Sequence, residues 1–328
     1  MGVIMKFSHS MLFINLFFAI FCFSILTTNN FAHAKQISFV KKDLGDKIQF
    51  SYRWLDHLKI EKTLDFSLPK KAIFNRFRKF KSFKNEFSEA YIHKEIQACI
   101  QKTPLKGVQI DFIKKDGSTH INIKGKKQLD VNNAYQELSK LEKKYGDEYL
   151  KKINYQHFVS YSGQNAIKPN HVLIAEQSVA DLKIFKELVL DDVNVKNIRK
   201  VTNFVLGFVQ SIPYAKLESR LTSSGAGFSP PLDLLYRNKG DCDSKVTLTA
   251  AILRALMPRI NLTIIYIDNH ALLGIDILPE GDEVTIVKDD ITYVVAEPTG
   301  PAILALGQVA SFSKQAVLAG LYNAEKFK

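Results

Sequence analysis

The run Gly240-Asp241-Cys242-Asp243-Ser244-Lys245 places a cysteine at the head of a long apolar segment, and His270 and Glu297 follow it. These are the side chains of a thiol nucleophile, its base and the carboxylate that orients the base. Val246 to Leu256 combines good helix formers with an apolar stripe of helical period, and Asp241 suits an N-cap. Cys242 is therefore expected in the first helical turn. Backbone N–H groups there point at the sulfur, so a thiol pKa lowered from about 8.5 into roughly the 3.5–7.5 range is expected beside an imidazolium. Asp241 and Asp243 read as cap and helix-dipole residues in preference to a calcium-binding pair.

The elements that must position these side chains follow in order. Leu262 to Ile267 is an apolar, β-branched strand, Asp268-Asn269 a turn, and His270 to Asp276 a second strand with His270 at its head. A third strand, Ile291 to Ala296, ends at Glu297-Pro298-Thr299-Gly300. If the last two strands are antiparallel neighbours, His270 and Glu297 meet at one end of the sheet.

This order, a Gly-x-Cys helix start, a His-Ala strand start and an acidic-Pro-Thr strand end, resembles the transglutaminase-like superfamily. Upstream, Phe208-Val209-Gln210-Ser211-Ile212-Pro213-Tyr214, Ser229-Pro230-Pro231-Leu232-Asp233-Leu234-Leu235 and Lys239-Gly240-Asp241-Cys242 resemble its bacterial branch of transglutaminase-like cysteine peptidases. The resemblance covers residues 175–310. It implies a papain-like α+β core, a helix bearing the cysteine packed on an antiparallel sheet, with Cys242, His270 and Glu297 as the triad. The chain departs from the pattern in having Glu where Asp is commoner and in lacking an aromatic after His270. Gln210 is a candidate oxyanion-hole amide by the same analogy, with a structural role in the helical pattern Val201 to Ser211 as the alternative.

Lys6, the apolar run Met11 to Leu26 and the small-residue ending Ala32-His33-Ala34 read as a secretory signal over residues 1–34, cleaved before Lys35. An exported chain, periplasmic or secreted, is expected. Beyond that segment only Cys99 and Cys242 remain, which excludes a disulfide scaffold and leaves Cys99 as a core residue.

The formal net charge of +12 is uneven: residues 35–160 hold 27 Lys+Arg against 15 Asp+Glu. The densest stretch, Lys70 to Lys84, carries phenylalanines every three or four residues, and a helix is expected from Lys70 to Lys102. Its basic face suits solvent or an acidic surface partner; nucleic acid is not expected without a recognised motif. Hairpins at 36–53 and 108–123, a strand at 59–68 and a helix at 131–152 complete a basic N-terminal α+β module, 35–165, joined to a catalytic domain, 170–328. His93, His120, His157 and His171 show no metal-ligand spacing, and no cofactor or metal is expected. The sequence thus points to a peptidase or amidase acting on a protein or peptide through a thioester. A crosslinking amide transferase and a non-catalytic binding protein of the same fold are the alternatives.

Overall fold

A computed structural model of the chain describes residues 2–5, 36–115, 118–192, 197–217 and 227–327. The expected signal segment lies outside the described residues except for strand β1 (Gly2–Met5). Next come β2 (Gln36–Asp43), β3 (Lys47–Leu55), β4 (Glu61–Pro69), α1 (Lys70–Asn75) and α2 (Asn85–Lys102). β5 (Val108–Lys115), β6 (Ser118–Gly125), α3 (Gln128–Lys152), β7 (Tyr155–Val159) and β8 (Asn165–Pro169) follow. Three helices, α4 (His171–Ser178), α5 (Phe185–Asp192) and α6 (Ile198–Ser211), lead to α7 (Pro231–Arg237) and α8 (Cys242–Leu256). The C-terminal part holds β9 (Leu262–Ile267), β10 (His270–Ile275), β11 (Thr285–Lys288), β12 (Ile291–Ala296), α9 (Ser311–Leu318) and β13 (Asn323–Lys326). The fold is mixed α+β, and every pairing between these strands is antiparallel.

The chain divides into two compact units, 1–29 with 83–153, and 30–82 with 154–328. The boundary expected between 165 and 170 is not where the division falls. The reason is β3, whose alternate residues Ile48, Phe50, Tyr52 and Trp54 are buried in the same core as α6 and α8. Trp54 packs on Phe204 at 5.4 Å, Tyr52 meets Phe208 edge-on at 4.9 Å, and the Tyr52 hydroxyl donates to the Leu235 carbonyl at 2.9 Å. Period-two burial on one face is what made β3 readable, but it carries no address for the face that covers it.

The single helix expected over 70–102 is also broken. α1 ends at Asn75 and α2 begins at Asn85. Between them Phe80 is buried, stacked on Tyr155 at 5.5 Å and edge-on to Phe228, while Arg76 forms an ion pair with Asp181. Aromatic packing outweighs the modest helix propensity of a Phe-rich, like-charged stretch.

In the larger unit α8 has no exposed face: residues Ser244 to Leu253 are all buried. Beneath it lies the sheet β11-β12-β10-β9-β13. Its alternation is strict. Ala271, Leu273, Ile275 and Val294 join the core that contains α8, whereas Leu272, Tyr293 and Val295 join a second cluster with Val317 of α9. A sheet covered on both faces explains why β9, Leu-Thr-Ile-Ile-Tyr-Ile, reads as a continuous apolar run.

Candidate active site

Cys242 is the first residue of α8. The Asp241 carboxylate caps the helix, accepting from Ser244 N at 3.0 Å and from the Ser244 hydroxyl, whose oxygen accepts from Ser229 N at 2.7 Å. Gly240 lets the preceding chain close on α7: a Cβ there would lie 2.6 Å from Leu234 Cδ1. Burial and the neighbouring Asp243 push the Asp241 carboxyl up to about 7.

His270 opens β10, after the Asp268-Asn269 turn in which Asn269 takes φ 54°, a conformation Asn tolerates. β10 pairs with β12 in the register Leu273↔Ala296, so His270 reaches Glu297 diagonally across one face. Its Nε2 lies 3.0 Å from Glu297 Oε1, with both side chains at least nine-tenths buried. The other oxygen, Oε2, accepts from Ala310 N at 2.8 Å, just before α9. Phe312 of α9 stands against the imidazole, ring centres 5.3 Å apart.

Gln210 does not face the thiol. Its Nε2 donates to the carbonyls of Glu297 and Leu304, both at 2.9 Å, and its Oε1 accepts from Leu304 N at 3.3 Å. With both amide hydrogens on backbone oxygens, none is left for an oxyanion, and Gln210 borders a separate cavity with Pro213 and Gly300. Its role is to pin the loop that carries Glu297. Gly300 belongs to that clamp, since a Cβ there would lie 2.2 Å from the Gln210 carbonyl oxygen.

The thiol opens into a cleft of about 540 Å³ walled by Phe158, Tyr214, Tyr266, Asp243 and His270. In this arrangement the Sγ contacts Asp243 Oδ1 at 3.7 Å and the Asn269 carbonyl at 4.0 Å, and it makes no hydrogen bond to His270. The expected depressed thiol pKa is reversed. Burial pushes the Cys242 thiol up, Asp243 and Asp241 add to the rise, and the N–H groups of Asp243 and Ala271 only partly oppose it. Desolvation and two flanking carboxylates outweigh the field of the helix N-terminus, so the resting sulfur is a thiol.

Behind Asp243 lies a polar chain that spacing did not reveal. His171 Nε2 is 3.9 Å from Asp243 Oδ2, and its Nδ1 is 3.0 Å from the Tyr266 hydroxyl. The Tyr266 hydroxyl donates to Glu325 Oε2 at 3.1 Å, and Lys168 Nζ reaches the same oxygen at 2.8 Å. These residues come from α4, β9, β13 and β8, and His171 offers no sequence signal beyond its type. Lys245, one turn along α8, is wholly buried, and its Nζ donates to the Ile212 carbonyl. Burial lowers its pKa to about 7, while Asp241 pulls it back up. Among the described residues no group of three His, Cys, Asp or Glu side chains converges to hold a metal ion. No family model, curated protein or solved structure matches the chain.

Proposed function

We propose that the chain is an exported, transglutaminase-like cysteine enzyme, a peptidase or amidase that cleaves an amide bond through a Cys242 thioester. The observation that carries this reading is the His270–Glu297 pair, 3.0 Å apart and buried, at the edge of the cleft into which the Cys242 thiol opens. Glu297 holds Nε2, which leaves Nδ1 as the nitrogen for the thiol proton. The sulfur, now turned to Asp243 and Asn269, rotates toward His270 as the substrate carbonyl enters.

His270 takes the thiol proton while the sulfur bonds to the carbonyl carbon and the carbonyl electron pair moves onto oxygen. The N–H groups of Cys242 and Asp243 are among the four at the start of α8 that no intrahelical carbonyl uses, and they are the donors for that oxyanion. Collapse of the intermediate breaks the C–N bond, and the amine leaves with the proton from His270. Water, deprotonated by His270, then releases the acid and restores the thiol. A primary amine in place of water gives the amide-transfer outcome instead.

The test is acid-quenched mass spectrometry of the protein mixed with peptide amides, with and without an added primary amine. An acyl adduct on Cys242 that vanishes in His270→Ala, with free acid as product, supports the peptidase reading. Product joined to the amine identifies a transferase. No adduct from any acyl donor, with Cys242 alkylation indifferent to His270→Ala, leaves a binding protein.

A further inference from the structure

We propose that His171 is a positioning residue of the thiol site: its buried Nε2 holds a proton on Asp243 and so removes a negative charge that faces the Cys242 sulfur. This rests on the reading of Cys242 as a working thiolate.

The argument begins at Glu325. Its carboxylate accepts from Lys168 Nζ at 2.8 Å and from Gln156 Nε2 at 3.0 Å on each oxygen, so it is an acceptor for Tyr266 as well. The tyrosine has one proton and gives it to Glu325. The Tyr266 oxygen must then accept from His171, which puts the imidazole hydrogen on Nδ1 and a lone pair on Nε2. That nitrogen is buried in a side chain only 2% exposed, between the rings of Phe228 and Tyr266, and finds no hydrogen-bond partner. It faces Asp243 Oδ2 at 3.9 Å. A lone pair opposite an ionised carboxylate is repulsive; opposite a protonated one it becomes an acceptor, and a small rotation of Asp243 closes the contact.

The surrounding charges pull both ways, and burial outweighs them. Asp243 faces Lys168 of β8, His171 of α4, His270 of β10 and Glu325 of β13, with Cys242 of α8 and the N-cap Asp241 beside it. Burial, with Glu325, raises Asp243 against the opposing pull of Lys168, the Cys242 hydrogen bond and His270, and burial and Lys168 lower His171, so the net directions favour the shared proton on Asp243. The thiolate then has a neutral carboxyl at 3.7 Å rather than a second anion.

The experiment is site-resolved iodoacetamide alkylation of Cys242 in the full chain, followed against pH. His171→Phe deprives the Asp243 proton of its acceptor, and the midpoint is expected to rise by about one pH unit, roughly tenfold in rate below the midpoint. Asp243→Asn should lower the midpoint or leave it. The double variant should follow Asp243→Asn, because no charge remains for His171 to cancel. An unchanged midpoint in His171→Phe, or a double variant as slow as His171→Phe, overturns the proposal. Should His171→Phe fail to fold, His171→Leu carries the same expectation, since it too leaves the Asp243 proton without an acceptor. Failure of the enzyme reading shows separately, as alkylation indifferent to His270→Ala and absence of an acyl adduct.

Discussion

On the proposed mechanism Cys242, His270 and Glu297 act on one proton, so their variants are expected to be unequal and far from additive. Cys242→Ala removes the only sulfur among the described residues that line the cleft and should abolish acyl-enzyme formation in quenched-flow mass spectrometry. Glu297→Gln keeps the Ala310 contact within reach but loses the charge on His270 Nε2, and a drop of about 10²–10⁴ in kcat is expected by analogy with other orienting carboxylates. The double variant with His270→Ala should be no worse than His270→Ala alone; a multiplicative loss would show that Glu297 acts apart from the imidazole. These three residues were legible because each sits at the end of a segment whose type the sequence declares: a capped helix start, a strand start and a strand end. His171 was not. Its partners are Asp243, Tyr266 and, through the tyrosine, Glu325, and no local period links a residue of α4 to a cleft built on α8 and β9. The sign of the Cys242 pKa shift was equally hidden, because it depends on how deeply the surrounding fold buries the sulfur.

Among the elements, α6 and α8 do more than carry side chains, for Gln210 and Lys245 fasten the two walls of the site. Gln210→Ala removes three hydrogen bonds to the Glu297–Leu304 loop and should cost about 2–4 kcal/mol of stability while slowing acylation. An oxyanion-hole amide would instead lose rate at unchanged stability, so denaturant midpoints measured beside kcat separate the two roles. Lys245 gives a pH test. Its folded pKa, about 7, lies below the ordinary 10.5, so between those values the unfolded chain binds a proton that the native protein has released. Stability from this group therefore rises with pH across that window, and below 7 the full cost of a buried ammonium remains. Lys245→Met should gain on the wild type as pH falls from 10.5 to 7, by on the order of 5 kcal/mol, and the difference should level off below that. A pH-independent difference would mean that Lys245 stays charged throughout. At this scale helices and strands were largely legible, since α3, α6, α8 and β9, β10 and β12 follow their 3.6- and 2-residue periods. The break between α1 and α2 was not, because it is made by Phe80 on Tyr155 and Phe228, partners far along the chain.

The whole molecule is organised differently from the linear reading of module followed by domain. If the N-terminal segment is a cleaved signal, mass spectrometry of the exported protein should find Lys35 first, and β1 is absent from the working form; an intact residue 1–34 segment on a membrane-bound product would reverse this. The remaining chain interrupts one folding unit with another. Residues 30–82 and 154–328 share a core through Trp54, Tyr52 and Phe208, so a fragment of 171–328 alone exposes the surfaces that β3 covers and should aggregate. The two ends left by removing 83–153 lie together: the Tyr155 hydroxyl donates to the Lys81 carbonyl at 2.9 Å and its ring stacks on Phe80. Joining Ser82 to Asn154 by a short Gly-Ser linker closes only a small loop, whose entropic cost grows slowly with length. The shortened protein is expected to unfold cooperatively by circular dichroism and to keep the His270-dependent reactivity of Cys242. Folding without that reactivity would assign residues 83–153 a part in the chemistry, whereas retention frees that unit, with its own core of Ile96, Ile121 and Leu138, for a task other than catalysis.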